Sequence, residues 1–336
     1  MSPIPLQGRL ASLIALALAL AGTGCSQTDD AALAGVSISA SAMRPADTDD
    51  DTLPEDEREA AASDSTAQFG AETAVELSRI AGLAEAQGVA SRPYGEIVQW
   101  VGEQLRGRPY TAGLLDAPAQ ETLTGDLTQF DCVLYIENVL AVARGIATGD
   151  TSGEAYLAEI RRMRYRGGEM AGYCSRLHYF SEWIADNERR GTVRNVTTQA
   201  GGVPFEKRIA FMSEHRSAYP RLADDAVFAC ATNAESALAG LDLVYIPKAD
   251  IAAGYAAMQP GDVVAMATSI GGLDVTHTGF VHVAQGKTGF MHASLTADAV
   301  KVSPDLAEYV AGIRNQVGII VARPTDPRGG GVGTGN

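Results

Sequence analysis

The feature that most constrains the fold is a change in the spacing of apolar residues near residue 243. Before this point apolar residues recur at helical spacing, and after it they alternate or form short runs between turn residues. The first pattern buries one face of a helix, and the second buries one face of a strand. Helices followed by short strands predict an α+β domain, in which a helical N-terminal part packs on an antiparallel sheet.

The same patterns give approximate bounds for these elements. Helices are predicted over residues 74–86, 94–106, 132–144, 155–163 and 177–190. Strands are predicted over residues 243–247, 263–266, 275–284, 289–294 and 318–322. Gly145 and Gly191 are predicted to end the helices that precede them, because glycine is a common helix stop.

The first 25 residues have the pattern of an export signal. Arg9 precedes an apolar stretch over residues 10–21, which is too short to span a bilayer. The small residues that follow end at Cys25 and resemble a bacterial lipoprotein processing site, which predicts that Cys25 is lipidated. Ordinary signal-peptide cleavage nearby is the alternative. Ser26 favours sorting to the outer membrane, so we expect an exported, periplasmic protein whose membrane contact is this N-terminal lipid anchor.

The composition divides the rest of the chain. Residues 26–72 are acidic and nearly lack aromatic residues, which predicts a disordered linker. Residues 73–325 form one predicted domain, and the glycine-rich residues 326–336 a flexible tail. More than half of the net charge of −15 lies in residues 1–72. The domain lacks the clustered basic face that a nucleic-acid partner would require, and we expect a monomer.

Four cysteines limit the covalent chemistry. No zinc-binding spacing such as Cys-x-x-Cys occurs, so neither a structural metal nor another cofactor is predicted. With Cys25 as a lipid site and Cys132 as a nucleophile, Cys174 and Cys230 remain. An exported compartment permits their pairing, but the sequence leaves this open.

Cys132 is the candidate nucleophile. It follows Asp131 and begins the apolar helical run predicted over residues 132–144. The partial positive charge at a helix N-terminus lowers a cysteine pKa and favours the reactive thiolate. The alternative is an inert buried cysteine. Asp131 is predicted to cap the helix rather than to take part in the chemistry.

Two histidines can complete a cysteine hydrolase site. His277 and His292 fall on two predicted strands joined by the turn at residues 286–289, so their side chains can share one face. His277 would take the thiol proton, and His292 would hold the imidazole of His277 in its working tautomer. His282 lies five residues beyond His277, points to the opposite face and is predicted to be structural. This helix-and-sheet layout is that of papain-like cysteine hydrolases.

The ordered set of motifs resembles a known family. The motifs are Phe130 to Glu137, Arg176-Leu177-His178-Tyr179 with Trp183 and Asp186-Asn187, Tyr245-Ile246-Pro247-Lys248, Gly261 to Val264, Gly272 to Gly279, and Met291-His292-Ala293-Ser294. Together they resemble the N-acetylmuramoyl-L-alanine amidase-like branch of the NlpC-type cell-wall cysteine hydrolases. The resemblance implies a papain-like fold, a peptidoglycan or muropeptide substrate, and Cys132, His277 and His292 as catalytic residues. The sequence departs from the family where Val133-Leu134-Tyr135 replaces the small hydroxyl residues that commonly follow the cysteine.

Four further residues are candidates for substrate binding. Arg176 and His178 could bind a carboxylate of a stem peptide, or belong to a solvated helix face. Lys248 resembles a family motif residue that could contact a carboxylate or the glycan, or it is an exposed lysine at a strand end. Tyr110 is a candidate donor that would complete an oxyanion hole with the Cys132 backbone N–H.

Four functions are therefore compatible with the sequence. The first is a cysteine amidase that cuts the N-acetylmuramoyl-L-alanine amide through an acyl-enzyme. The second is an endopeptidase that cuts the γ-D-glutamyl bond to diaminopimelate inside the stem peptide. The third is a non-catalytic lipoprotein that binds the cell wall. The fourth is acyl transfer to or from a lipid or protein by the same residues, which would predict a long apolar groove that the sequence does not reveal.

Overall fold

The computed structural model describes residues 67–329. The predicted signal peptide, Cys25, most of the linker and residues 330–336 lie outside the described residues. The described fold begins at Ala67, whereas the sequence placed the domain boundary at residue 73. Residues up to 329 also belong to it, because Arg328 donates hydrogen bonds to the carbonyls of Ala90 and Arg92 at 2.6 and 3.0 Å. Within residues 67–329 no helix is long and apolar enough to span a membrane.

The helices occupy mainly the N-terminal half, as the sequence predicts. They are α1 (Ala71–Ala86), α2 (Tyr94–Gln104), α3 (Cys132–Thr148), α4 (Gly153–Arg164), α5 (Phe180–Arg189), α6 (Phe211–Glu214), α7 (Asp225–Leu238) and α8 (Leu306–Ala311). Helix α3 continues past Gly145, where the sequence predicted its end, and stops at Gly149. Gly149 has the left-handed φ of 83° that suits a residue after a helix, so it is the stronger stop.

The strands form one antiparallel sheet and a short separate pair. They are β1 (Ala67–Gln68), β2 (Leu123–Thr124), β3 (Val193–Asn195), β4 (Val203–Pro204), β5 (Val244–Pro247), β6 (Val263–Thr268), β7 (Val275–Ala284), β8 (Lys287–Ser294), β9 (Ala299–Ser303) and β10 (Gln316–Pro324). The large sheet has the order β4-β5-β10-β6-β7-β8-β9, with β3 also paired to β10. This confirms the predicted α+β class with helices on an antiparallel sheet.

Two apolar cores cover the two faces of the sheet. The larger core joins helices α1–α4 to one face, and Tyr135 of α3 contacts Phe280 of β7 with ring centroids 5.7 Å apart. The second core covers the other face and includes Phe290 of β8 and Val310 of α8. Helix α3 is thus fixed against the strands that carry the candidate histidines.

A third core holds the segment that precedes the main strands. It contains residues of the loop before α5, of α6 and of α7, and Cys174 and Cys230 are joined there as a disulfide with Cα atoms 6.1 Å apart. The structure therefore contains the pairing that the sequence only permitted. Helix α7, helix α8 and strand β9 were not predicted, because their short or alanine-rich runs show no clear apolar period.

Candidate active site

Asp131 fixes the start of the helix that carries Cys132. Its carboxylate accepts hydrogen bonds from the backbone N–H groups of Val133 and Leu134 at 3.0 and 2.8 Å, as an N-cap residue does. Cys132 is therefore the first helical residue, and the predicted capping role of Asp131 agrees with the structure. Burial raises the pKa of the Asp131 carboxyl to about 6.

Strand β7 contacts Cys132 from the side opposite to Asp131. The Thr278 hydroxyl donates a hydrogen bond to the backbone carbonyl of Cys132 at 2.9 Å. Cys132 itself is buried, with 2% of its surface exposed, and is the free cysteine of the described residues. The contact fixes the position of the first turn of α3 against β7.

The thiol pKa contradicts the expectation from the helix N-terminus. Burial, followed by the negative charge of Asp131, raises the pKa of Cys132 to about 12. Hydrogen bonds from the Thr278 hydroxyl and backbone N–H and from the Cys132 N–H act in the opposite direction. Desolvation disfavours a charged thiolate more than the helix end favours it. Cys132 is therefore a neutral thiol near pH 7.

His277 and His292 share one face of the β7–β8 hairpin, as predicted. The strands turn at Gln285 and Gly286, and Phe280 pairs with Met291, which places His277 diagonally across from His292. His277 Nε2 lies 2.7 Å from His292 Nδ1. His282 points to the opposite face, where its Nε2 lies 2.9 Å from Glu103 Oε1, in agreement with a structural role.

The histidine pair extends to a serine and is enclosed by aromatic rings. His292 Nε2 lies 3.2 Å from Ser303 Oγ on β9. The Phe290 ring stacks on His292 with centroids 4.5 Å apart, and the Tyr309 ring meets it at 4.8 Å. Burial lowers the pKa of His277 to about 4 and, together with the nearby His277, lowers that of His292 to about 2. Both imidazoles are therefore neutral near pH 7.

Cys132 lies between two cavities. The first has a volume of about 120 Å³ and is lined by Cys132, Thr278, and parts of residues 113–116, 131–133, 176–180 and 273–275. The second has a volume of about 350 Å³ and is lined by Cys132, His277 and Tyr309 among others. Cys132 and His277 thus line the second cavity together, and Cys132 also lines the first.

Two predicted substrate residues line the first cavity but already have partners. The Arg176 guanidinium forms ion pairs with Asp116 at 3.0 Å and Glu121 at 2.9 Å. His178 Nε2 donates to the Tyr173 carbonyl at 2.9 Å, and burial lowers the pKa of His178 to about 3. Arg176 is buried and His178 is half-buried at the cavity, so neither lies on a solvated helix face. Their contact with substrate stays a prediction.

The other two predicted substrate residues differ in position. Tyr110 lines the second cavity together with Cys132. Lys248 does not line either cavity. Its Nζ donates to the carbonyl of Ile313 at 2.8 Å, and Ile313 itself lines the second cavity. The structure therefore gives Lys248 a supporting position behind the cavity wall.

Three site residues were missed by sequence reasoning. Thr278, Ser303 and Tyr309 contact Cys132, His292 or both histidines. Thr278 lies next to His277 in the sequence and could have been noticed as a hydroxyl beside a candidate base. Nothing in the sequence marks Ser303 or Tyr309, because folding alone brings them to the pair. Within residues 67–329 no three His, Cys, Asp or Glu side chains group together as metal ligands would.

Comparison with known proteins identifies a family and several similar solved structures. The profile of the AmiA-like family, described as N-acetylmuramoyl-L-alanine amidase-like, matches residues 100–319. The crystal structure of an N-acetylmuramoyl-L-alanine amidase from Bacteroides uniformis is 32% identical, with a TM-score of 0.65, and the match covers 69% of this chain and 99% of that one. No curated protein matches the chain significantly.

Two more solved structures are similar. A Bacteroides fragilis protein provisionally named a xylanase is 30% identical, with a TM-score of 0.61 over 67% of this chain and 99% of that one. A Legionella pneumophila protein is 18% identical, with a TM-score of 0.55 over 74% of this chain and 94% of that one, and shares the fold alone. Together with the family match, these likenesses show that the chain belongs to the AmiA-like, N-acetylmuramoyl-L-alanine amidase-like family.

Proposed function

We propose that this protein hydrolyses the amide between N-acetylmuramic acid and L-alanine, with Cys132 as the nucleophile. The observation that carries the proposal is that Cys132 and His277 line one cavity, while His277 Nε2 is bound to a second imidazole. Membership of an amidase-like family supports the reaction class and the peptidoglycan substrate. The proposed mechanism needs no group beyond the side chains present.

The first step is attack of the thiol on the amide carbonyl. In the tautomer that this mechanism requires, His277 carries its proton on Nε2 and donates it to His292 Nδ1, and His292 Nε2 donates to Ser303 Oγ. His277 Nδ1 then keeps a lone pair. His277 Nδ1 takes the proton of Cys132 as the sulfur bonds to the carbonyl carbon. The imidazolium then protonates the leaving amine, the C–N bond breaks, and a thioester remains. Water, deprotonated by His277, hydrolyses the thioester and restores the thiol.

A neutral thiol and a neutral imidazole suit this sequence of steps. Since the pKa of Cys132 is about 12 and that of His277 about 4, a resting ion pair is unfavourable, and proton transfer accompanies attack. Thr278 lowers the pKa of Cys132 and so favours the negative charge as it forms on sulfur. His292 acts as a positioning residue that fixes the tautomer of His277.

The developing oxyanion has a donor at the helix start. The Cys132 N–H belongs to the first turn of α3, where backbone amides lack partners inside the helix. Tyr110 lines the second cavity together with Cys132, and we propose its hydroxyl as the second donor. Both would point toward charge that develops only in the transition state, which is where such donors are most effective.

A glycosidase reaction receives no support from the carboxylates near Cys132. Glycosidases use two carboxyl groups that face the scissile bond. Here Asp116 is bound by Arg176, Asp131 by two helix amides, and Asp274 by the backbone N–H groups of residues 181 and 275. Each carboxylate is held by donors of the protein itself.

Two further expectations accompany this proposal. We propose that the α+β fold is of the papain-like, NlpC-type branch, which the thiol at a helix start and the histidines on adjacent strands support. We also propose export and lipidation at Cys25, which the signal-like residues 1–25 support. Palmitate labelling of the wild type and of a Cys25→Ala variant in a Gram-negative host tests the second point.

The bond that is cut distinguishes the proposed amidase from the alternatives. Purified protein is incubated with sacculi and with soluble muropeptides, and the products are identified by mass spectrometry. Release of an intact stem peptide with a free L-alanine amine supports the amidase. A cut after D-glutamate would make the protein an endopeptidase, and binding without any product would favour a cell-wall-binding protein.

A further inference from the structure

The two cavities beside Cys132 differ in charge. The first is lined by Asp116, Asp131 and Asp274 together with Arg176. Among residues 67–329, no acidic side chain lines the second cavity, and Arg314 is the one permanently charged side chain that does. The cavity on one side of Cys132 therefore carries acidic side chains, and the cavity on the other side carries a basic one. Such a difference can orient a substrate that has a charged group on only one side of its scissile bond.

Other cations near Cys132 are already engaged. Arg176 is paired with Asp116 and Glu121, and Lys248 donates to the carbonyl of Ile313. His178 is neutral, because burial lowers its pKa to about 3. The residues that the sequence pointed to as carboxylate ligands are thus satisfied within the protein.

Arg314 differs from Arg176 and Lys248 because its backbone is held in place while its guanidinium is unpaired. The next residue, Asn315, accepts hydrogen bonds through its carbonyl from Thr268 Oγ1 and from the Ser269 N–H, both at 2.9 Å. These contacts fix the segment before β10 at the cavity rim. The Arg314 guanidinium itself has no hydrogen-bond or ion-pair partner among residues 67–329. A planar guanidinium with free donors matches the geometry of a carboxylate.

We propose that Arg314 binds a free carboxylate of the stem peptide. The peptide side of the scissile amide would then lie in the larger cavity, and the acyl side would face the smaller cavity with its aspartates. This inference rests on the proposed function, since it assigns the two sides of the same bond. Arg314 would be a specificity residue that selects substrates with a free acid and disfavours amidated ones.

Calorimetry with a non-hydrolysing protein tests the assignment. The ligands are N-acetylmuramoyl-L-alanyl-D-glutamate and its diamide, and the proteins are full-length Cys132→Ala with and without Arg314→Gln. We expect Cys132→Ala to bind the diacid about tenfold more tightly than the diamide, and Arg314→Gln to remove most of that preference. The control is Arg161→Gln, because Arg161 is an exposed arginine of α4 that lines neither cavity. It should keep the preference.

The outcomes separate this inference from the proposed function. A preference for the diacid that survives Arg314→Gln, an equal loss of affinity for both ligands, or no preference at all would overturn the role of Arg314. Cleavage of the diacid by wild-type protein is measured in parallel. If the wild type does not cleave the diacid but its preference for the diacid over the diamide depends on Arg314, the carboxylate site is supported and the proposed hydrolase activity is contradicted.

Discussion

Acid should destabilise this protein through the histidine that positions the candidate base. His292 is fully buried, and burial together with His277 lowers its pKa to about 2. An unfolded histidine has a pKa of about 6.5. Between these values the unfolded chain binds a proton that the folded protein does not. The stability contributed by neutral His292 is therefore complete above about pH 6.5 and declines as the pH falls toward 2.

The size of the effect follows from the pH interval. A pH of 5 lies about 1.5 units below the pKa of an unfolded histidine, and each unit corresponds to about 1.36 kcal/mol. Keeping His292 neutral therefore lowers the free energy of unfolding at pH 5 by about 2 kcal/mol. Domains of this kind have a total stability of only about 5–15 kcal/mol. His277 acts in the same direction, and Asp131, whose pKa is raised to about 6, acts in the opposite one. The contribution of His292 must therefore be isolated by substitution.

Urea unfolding at pH 7.5 and pH 5.0 isolates it. We expect His292→Asn to lose about 2 kcal/mol less stability between the two pH values than the wild type, because asparagine does not titrate. Ser303→Ala is the matched control: it removes the contact to His292 Nε2 but keeps the imidazole, and should retain the wild-type pH dependence. A pH-dependent loss of the same size in His292→Asn and wild type would refute the argument.

Three further predictions concern the site itself. Asp131→Asn keeps an acceptor for the helix amides but removes the charge that, after burial, raises the pKa of Cys132. Iodoacetamide should therefore alkylate Cys132 faster at pH 8 in this variant than in the wild type, and an unchanged or slower rate would contradict this. Ser303→Ala should lower kcat about fivefold with little change in KM, because one neutral hydrogen bond that holds His292 is lost; a change in KM alone would indicate a substrate contact instead. In a pH–rate profile, kcat/KM should stay high at pH 5 and decline below about pH 4, where His277 becomes protonated and can no longer act as a base. A decline centred near pH 6.5 would contradict the lowered pKa of His277.

The sequence predicted the parts of the fold that depend on local pattern. Strand β7 was predicted with its observed bounds. That His277 and His292 share one face of the hairpin followed from the alternation of side chains along each strand and from the short turn between the strands. The end of α3 was wrong because Gly145 was taken as the stop, while the left-handed φ that ends the helix is found at Gly149. Glycine alone does not specify which position adopts that conformation.

The site could be predicted only where chemistry follows from residue type and spacing. The helix start explains the place of Cys132, but the direction of its pKa shift depends on burial by distant segments, which the sequence does not reveal. Ser303 lies on a strand that was not predicted. Arg314 differs from Arg176 because Arg176 is paired with Asp116, and the sequence does not show that ion pair. These properties arise from tertiary contacts between segments far apart in the chain.

The most direct test of the account compares turnover by wild type and Cys132→Ala. Both proteins are given the same soluble N-acetylmuramoyl-peptide, the new L-alanine amine is quantified by mass spectrometry, and binding by the variant is measured to show that it is folded. We expect wild type to release the amine and Cys132→Ala, while still binding, to be slower by about a thousandfold or more, because a covalent nucleophile is lost. A variant that retains more than about a tenth of the wild-type rate would contradict catalysis by Cys132.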